Sequence, residues 1–236
     1  MIKRILQKTI EKELFKGKAI IIYGARQVGK TTLVKEIIKE SNKKAIYIDC
    51  DLFENRQILS SQNLSKLKNF LSDYQLVVID EAQRVKNIGL NLKIITTHLP
   101  QIQVIATGSS SFDLANEINE PLTGRFFDYM LLPFSCEEIK QKLDNWQLQE
   151  NLENLLRFGL YPKVFYQSQI RAEKILNNIA SNYLYKDILE FESLKKSDQL
   201  LRILQCLALQ IGGEVSFSQL GKKIGLNTVT VQRYIY

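Results

Sequence analysis

The order of residues 19 to 38 leaves this chain few folds. Ala19-Ile20-Ile21-Ile22-Tyr23 is an unbroken apolar run of strand length. Gly24 to Thr31 then reads G-x-x-x-x-G-K-T, and Thr32-Leu33-Val34-Lys35-Glu36-Ile37-Ile38 continues with helical spacing. Strand, glycine-bounded loop and helix in that order form a cradle for phosphate oxygens. Gly24 and Gly29 can take backbone angles closed to other residues, so the N–H groups of Ala25, Arg26, Gln27 and Val28 can turn inward. The helix starting near Gly29 adds its positive end. Lys30 supplies an ammonium for β- and γ-phosphates, Thr31 a hydroxyl for a magnesium ion, and Thr32 carries the loop into the helix. The expectation is nucleoside triphosphate binding by residues 24–32.

The rest of the chain repeats the alternation. Apolar runs at 44–49, 75–80 and 101–107 predict three further strands, and Phe126 to Leu132 supplies a fifth, ended by Pro133. Between them lie helical patterns at 52–72, as one or two helices, and at 86–99, closed by Pro100. An opening helix over 2–15 places Ile2, Ile5, Leu6, Ile10, Leu14 and Phe15 at helical spacing. Near-continuous apolar strands alternating with helices indicate an α/β fold with a parallel sheet covered on both faces.

Beyond Phe134 the pattern is helical alone, with candidates near 135–143, 148–158, 169–192 and 198–211, which reads as a helical lid. Residues 216–234 read as helix, turn, helix, with Gly225 at the turn, Asn227 or Thr228 capping the second helix, and Val229 and Tyr234 as candidates to face inward. The expected division is a nucleotide-binding core over 1–135, a lid over 136–194 and a partial winged helix over 195–236. Because Tyr236 falls directly after the second of these helices, the expectation is a sequence that is truncated or lacks a further domain.

No run approaches a membrane span, and the charges interleaved through Met1 to Lys8 do not make a secretory signal. Cys50, Cys136 and Cys206 are odd in number and far apart, as reduced thiols are, and His98 stands alone. These features point to a cytoplasmic protein without histidine-based metal or triad chemistry. The net charge of +7 is uneven. Residues 1–48 hold 12 basic and 4 acidic side chains, residues 49–162 hold 10 and 15, and residues 163–236 hold 10 and 6. Two readings stand, a lysine-rich solvated surface and a nucleic-acid partner.

Leu76-Val77-Val78-Ile79-Asp80-Glu81 delivers two carboxylates to the carboxyl edge of the sheet, where ligands of such sheets bind. Asp80 suits a magnesium ion held through water, and Glu81 suits a base that takes a proton from water attacking the γ-phosphate. Thr107-Gly108-Ser109-Ser110-Ser111 ends the fourth strand. If that strand neighbours the third, Thr107 or Ser109 can orient water or sense the γ-phosphate; the alternative is a serine cap on the next helix. Arg125 can stabilise phosphate charge on its own nucleotide or a neighbouring subunit's, or form a surface ion pair.

With these residues in view, the sequence resembles the AAA+-type ATPases of bacteria and archaea related to the origin-recognition and signal-transduction branches. The matching segments are Gly24 to Leu33, Val78-Ile79-Asp80-Glu81-Ala82-Gln83, Thr107-Gly108-Ser109-Ser110, Leu122-Thr123-Gly124-Arg125 and Leu132-Pro133-Phe134-Ser135. Gly159-Leu160-Tyr161-Pro162 and Tyr185-Lys186-Asp187-Ile188 look like the family's lid. The resemblance implies ATP and magnesium, hydrolysis through Glu81, a sensor within 107–110, a winged helix, and a further domain of nuclease-like character. One departure is Lys163, which stands where a lid arginine would follow Pro162.

Against rival readings, Glu81 directly after Asp80 favours hydrolysis over phosphoryl transfer to another acceptor. Asn42-Lys43-Lys44-Ala45 lacks the aspartate of a guanine-reading segment, so adenine is the expected base. A second class of answer is a nucleotide-dependent DNA-binding regulator or scaffold, with Thr228, Thr230, Gln232 and Arg233 of suitable type for DNA contacts. Self-association or a protein partner completes the expected interactions; a membrane is not among them.

Overall fold

The computed structural model describes residues 2–108, 118, 122–181 and 197–235. Its centre is a sheet of five parallel strands: β1 (Ala19–Tyr23), β2 (Ala45–Asp49), β3 (Leu76–Asp80), β4 (Gln103–Gly108) and β5 (Phe126–Met130), in the order β2-β3-β4-β1-β5. β1 and β3 are buried at every position, which is why Ala19 to Tyr23 and Leu76 to Ile79 are apolar without alternating, Asp80 alone adding a charge at the end of β3. The edge strands β2 and β5 are only partly covered.

Period-two geometry sorts the strand side chains into two cores. Ala19, Ile21 and Tyr23 of β1 join Val77, Ile79 and Val104 on one face, while Ile20 and Ile22 join Val78 and Ile105 on the other. The first face is covered by α3 (Phe53–Leu59), α4 (Leu64–Leu71) and α5 (Ile88–His98) through Leu59, Leu67, Leu71, Leu92 and Ile95. The second is covered by α1 (Ile5–Glu13) and α2 (Lys30–Glu40) through Ile10, Leu33, Val34 and Ile37. Each fully buried side chain of this size contributes about 1.5–3 kcal/mol.

The expected opening helix over 2–15 is shorter at both ends. Ile2 leaves it and is buried against Phe134 and Ile139, while Ile5 and Phe15 are exposed. The region of 52–72 forms two helices, separated where Asn63 accepts a hydrogen bond from the Lys66 N–H and so starts α4. After β5 come α6 (Cys136–Ile139), α7 (Asn145–Glu150), α8 (Leu152–Phe158), α9 (Pro162–Phe165) and α10 (Gln169–Ile179). Beyond Ser181, the remainder of the helix expected over 169–192 lies outside the described residues, as does Tyr185-Lys186-Asp187-Ile188.

The chain divides into two compact units, Met1–Asn177 and Asn178–Tyr236. The second contains α11 (Ser197–Ala208), α12 (Phe217–Ile224) and α13 (Thr228–Ile235), packed through Ile203, Leu220, Ile224 and Val231. Asn227, not Thr228, caps α13, accepting from the Thr230 N–H at 2.7 Å. Val229 does not face inward; it is 65% exposed, and Val231 is the buried residue, with Tyr234 and Ile235 beside it. A shift of two residues turns a helix by about 200°, so the apolar pattern alone left the phase of α13 open. Accordingly, Val231→Ala is expected to destabilise this unit by about 2 kcal/mol in urea unfolding, and Val229→Ala to change it by less than about 0.5 kcal/mol.

Candidate functional site

The phosphate-type loop leaves β1 at Tyr23 and enters α2 at Lys30. Its first glycine is forced by a neighbour. The Leu131 N–H donates to the Tyr23 carbonyl at 2.7 Å, and a Cβ placed on Gly24 would lie 2.4 Å from the Leu131 carbonyl oxygen. Gly29, the residue before α2, has φ +99°, a left-handed conformation that disfavours a side chain. Val28 is buried in the sheet face between them, while Ala25 is exposed and Arg26 and Gln27 are half-buried. Lys30 is buried, and its Nζ lies inside the curve of the loop, donating to the carbonyls of Gly24 at 2.7 Å and Ala25 at 3.1 Å.

Because β3 lies between β2 and β4, the carboxyl ends of three strands converge on Asp80. Thr31 Oγ1 donates to Asp80 Oδ2 at 2.7 Å. Thr107, fully buried at the end of β4, donates to Asp80 Oδ1 and accepts from the Glu81 N–H at 3.3 Å. With β4 beside β3, Thr107 therefore meets the Asp80 carboxylate and the Glu81 backbone. Glu81 itself sits at φ 54°, ψ 44°, an uncommon left-handed conformation for a non-glycine residue. Its Oε2 accepts from Gln83 Nε2 at 2.6 Å.

Two participants were not singled out by sequence. Tyr47 of β2 donates its hydroxyl to Asp80 Oδ2, so three hydroxyls converge on one carboxylate. Burial, reinforced by the Asp80 hydrogen bond, pushes the Tyr47 phenol above its ordinary range and keeps it a donor. The signal for Tyr47 was its place near the carboxyl end of β2, on the same face as Ala45. For Gln83 the signal was its position two residues beyond Glu81. Nearby Cys50 is buried, and its thiol is pushed up to about 12 by that burial and then by Asp49 and Asp80, so it is an inert packing group.

Two other expected residues are not gathered here. Ser109 lies outside the described residues. Arg125 precedes β5, its carbonyl accepting from the Ala19 N–H at 3.0 Å and its guanidinium donating to Thr97 Oγ1. The strands being parallel, Arg125 occupies the amino edge of the sheet, about 16 Å along β1 from the loop. It does not reach the phosphate loop of its own chain.

Beside Gly29 and Thr32 lies a cavity of about 360 Å³, walled by Ile2, Arg4, Leu33, Phe134, Pro162 and Tyr166. Apolar and aromatic walls next to a polar loop suit a planar organic group joined to phosphates. Lys163, the residue after Pro162, also lines it.

Thr31 and Asp80 offer hard oxygen donors of the kind magnesium takes. Among the described residues no group of three or more His, Cys, Asp or Glu could hold a metal unaided. This donor set fits an ion that completes its shell with water and phosphate oxygens. No helix among the described residues is long and apolar enough to cross a membrane.

With this geometry in place, residues 16–140 match the family described as an AAA domain, and residues 149–236 match a domain of unknown function, DUF8612. Two uncharacterized proteins of Methanocaldococcus jannaschii are 25% and 24% identical, over 99% and 95% of this chain. The chain spans about half of their length, 56% and 55%. A Walker-type ATPase of Pyrococcus abyssi has a similar fold, with a TM-score of 0.56 at 16% identity, over 99% of this chain and 89% of that one.

The hydroxyl cluster makes a stability prediction. Thr107→Val, nearly isosteric, should leave Asp80 Oδ1 without its donor and lower stability by about 1–3 kcal/mol in chemical denaturation. Half-exposed Tyr47→Phe should cost about 1 kcal/mol or less.

Proposed function

The chain belongs to the AAA domain family, and on that premise we propose that it binds ATP with magnesium and hydrolyses it to drive a conformational switch. The observation carrying this reading is the meeting of Thr31, Asp80 and Glu81 at one sheet edge, with Thr107 bonded to both acidic residues. Residues 24–32 cradle the phosphates. Lys30 exchanges its two loop carbonyls for β- and γ-phosphate oxygens, and Thr31 and Asp80 hold the magnesium site. There they would hold a magnesium ion able to neutralise charge on the phosphoryl group. Glu81 accepts a proton from the attacking water once its carboxylate turns from Gln83, and Thr107 fixes the direction of the Glu81 backbone.

The adenine is assigned to the cavity beside Thr32, against the exposed Tyr166, whose ring meets that of Phe134 edge to face. Pro162 lies close enough to Gly29 that a Cβ there would stand 3.9 Å from it, so phosphate binding and α9 share a boundary. That boundary is our candidate for the moving part. Arg125 is proposed to act on a neighbouring copy's nucleotide, and Ser109 is, with Thr107, a proposed sensor. A cytoplasmic location belongs to the same reading.

A second reading concerns DNA and rests on the helix-turn-helix. A Cβ on Gly221 would lie 2.4 Å from the Leu226 carbonyl oxygen, so the tight turn between α12 and α13 depends on that glycine. Lys222, Lys223, Thr228, Gln232 and Arg233 are exposed on these helices, and residues 215–236 contain no acidic side chain. Double-stranded DNA is the acidic partner such a face suits.

Both readings have direct tests. Lys30→Ala should lose measurable ATP binding by calorimetry, whereas Glu81→Gln should retain binding and lose about 10²–10⁴-fold in turnover. Equal turnover in Glu81→Gln and wild type would remove the residue from its role. For DNA, binding in a fluorescence anisotropy titration should weaken steeply between low and moderate salt, and weaken again in Arg233→Ala. Salt-independent binding would exclude the DNA reading.

A further inference from the structure

Arg4 lies 20 residues ahead of Gly24 in the sequence, yet its guanidinium grips the backbone of the loop. Nη1 donates to the Val28 carbonyl at 2.8 Å. Nη2 donates to the carbonyls of Leu132 and Pro133, where the chain leaves β5, and Nε donates to Glu138 Oε1 at 3.0 Å. The group sits 5.0 Å from the centroid of the Phe134 ring. Arg4 and Glu138 side chains are 9% and 5% exposed, a buried ion pair. Glu138 is held in turn: its Oε1 also accepts from the Ile5 N–H and its Oε2 from the Ser135 N–H.

A buried arginine whose donors go mainly to main-chain carbonyls shapes backbone. The C=O and N–H of a trans peptide point in opposite directions, and no cis peptide occurs among the described residues. With the Val28 carbonyl drawn outward to Arg4, the N–H of Gly29 in the same peptide is turned to the inner side, where Lys30 Nζ lies. We infer that Arg4 is a positioning residue of the triphosphate site: it aims the Gly29 N–H at a phosphate oxygen and ties that peptide to the Leu132–Glu138 segment. This rests on the triphosphate reading above. The fork is essential, because a lysine at this position has one compact ammonium and cannot span Val28, Leu132 and Glu138 together.

Tripolyphosphate is the suitable probe, since it engages the loop without the base cavity that Arg4 also lines. In the full chain, Arg4→Lys and the uncharged, similarly sized Arg4→Met are compared with wild type by calorimetry. Thermal unfolding reports on folding, and the Gly29 amide resonance is followed during titration. The expected result is binding at least tenfold weaker in both variants, with a large Gly29 shift on titration in wild type that is lost in each folded variant. A folded variant with wild-type affinity and the wild-type Gly29 shift overturns the assignment. If wild type binds neither tripolyphosphate nor ATP, the triphosphate reading falls and the role of Arg4 falls with it. If wild type binds and a folded variant matches it, only the role of Arg4 is lost.

Discussion

One carboxylate organises this molecule's polar centre. Asp80 receives hydroxyl hydrogen bonds from Thr31 at the start of α2, Tyr47 on β2 and Thr107 on β4. Each donor comes from a different element, so the cluster exists only if β3 sits between β2 and β4 and the loop after β1 folds over the same edge. Burying an anion is costly unless its oxygens are satisfied, and here both are. Burial of the near-continuous apolar strands supplies the driving force, while the hydroxyl cluster fixes which ends meet. From that arrangement follow the positions of Lys30, Glu81 and the cavity beside Thr32.

The sequence made some of this legible because the chemistry was local. The loop, its strand and its helix are contiguous, and Asp80-Glu81 ends an apolar run that could scarcely be anything but a buried strand. Thr107 was legible conditionally, since its role needed β4 to neighbour β3. Tyr47 was not, because nothing in Ala45-Ile46-Tyr47-Ile48-Asp49 says which face will carry a ligand. Arg125 was left open between its own nucleotide and a neighbouring copy's, and the parallel topology places it at the far edge of the sheet from its own loop. Arg4 could not be read at all, since its partners are 24 to 134 residues away.

The second unit illustrates the limit of helical periodicity. Turn and cap residues, Gly225 and Asn227, fixed where α12 ends and α13 begins. The rotation of α13 about its axis depended on packing against Ile203 and Leu220, and that packing selected Val231 over Val229. The same choice determines which residues remain outward, so the exposed set of Thr228, Gln232 and Arg233 is a product of tertiary contact.

Under the proposed function, water attacks a triphosphate held between the loop and the Asp80-Glu81 edge. A single-turnover reaction with ATP and magnesium in ¹⁸O-labelled water tests it most directly, by mass analysis of the released phosphate. Inorganic phosphate carrying one solvent oxygen is the expected product. Protein saturated with ATP that releases no phosphate, or phosphate without solvent oxygen, would contradict it.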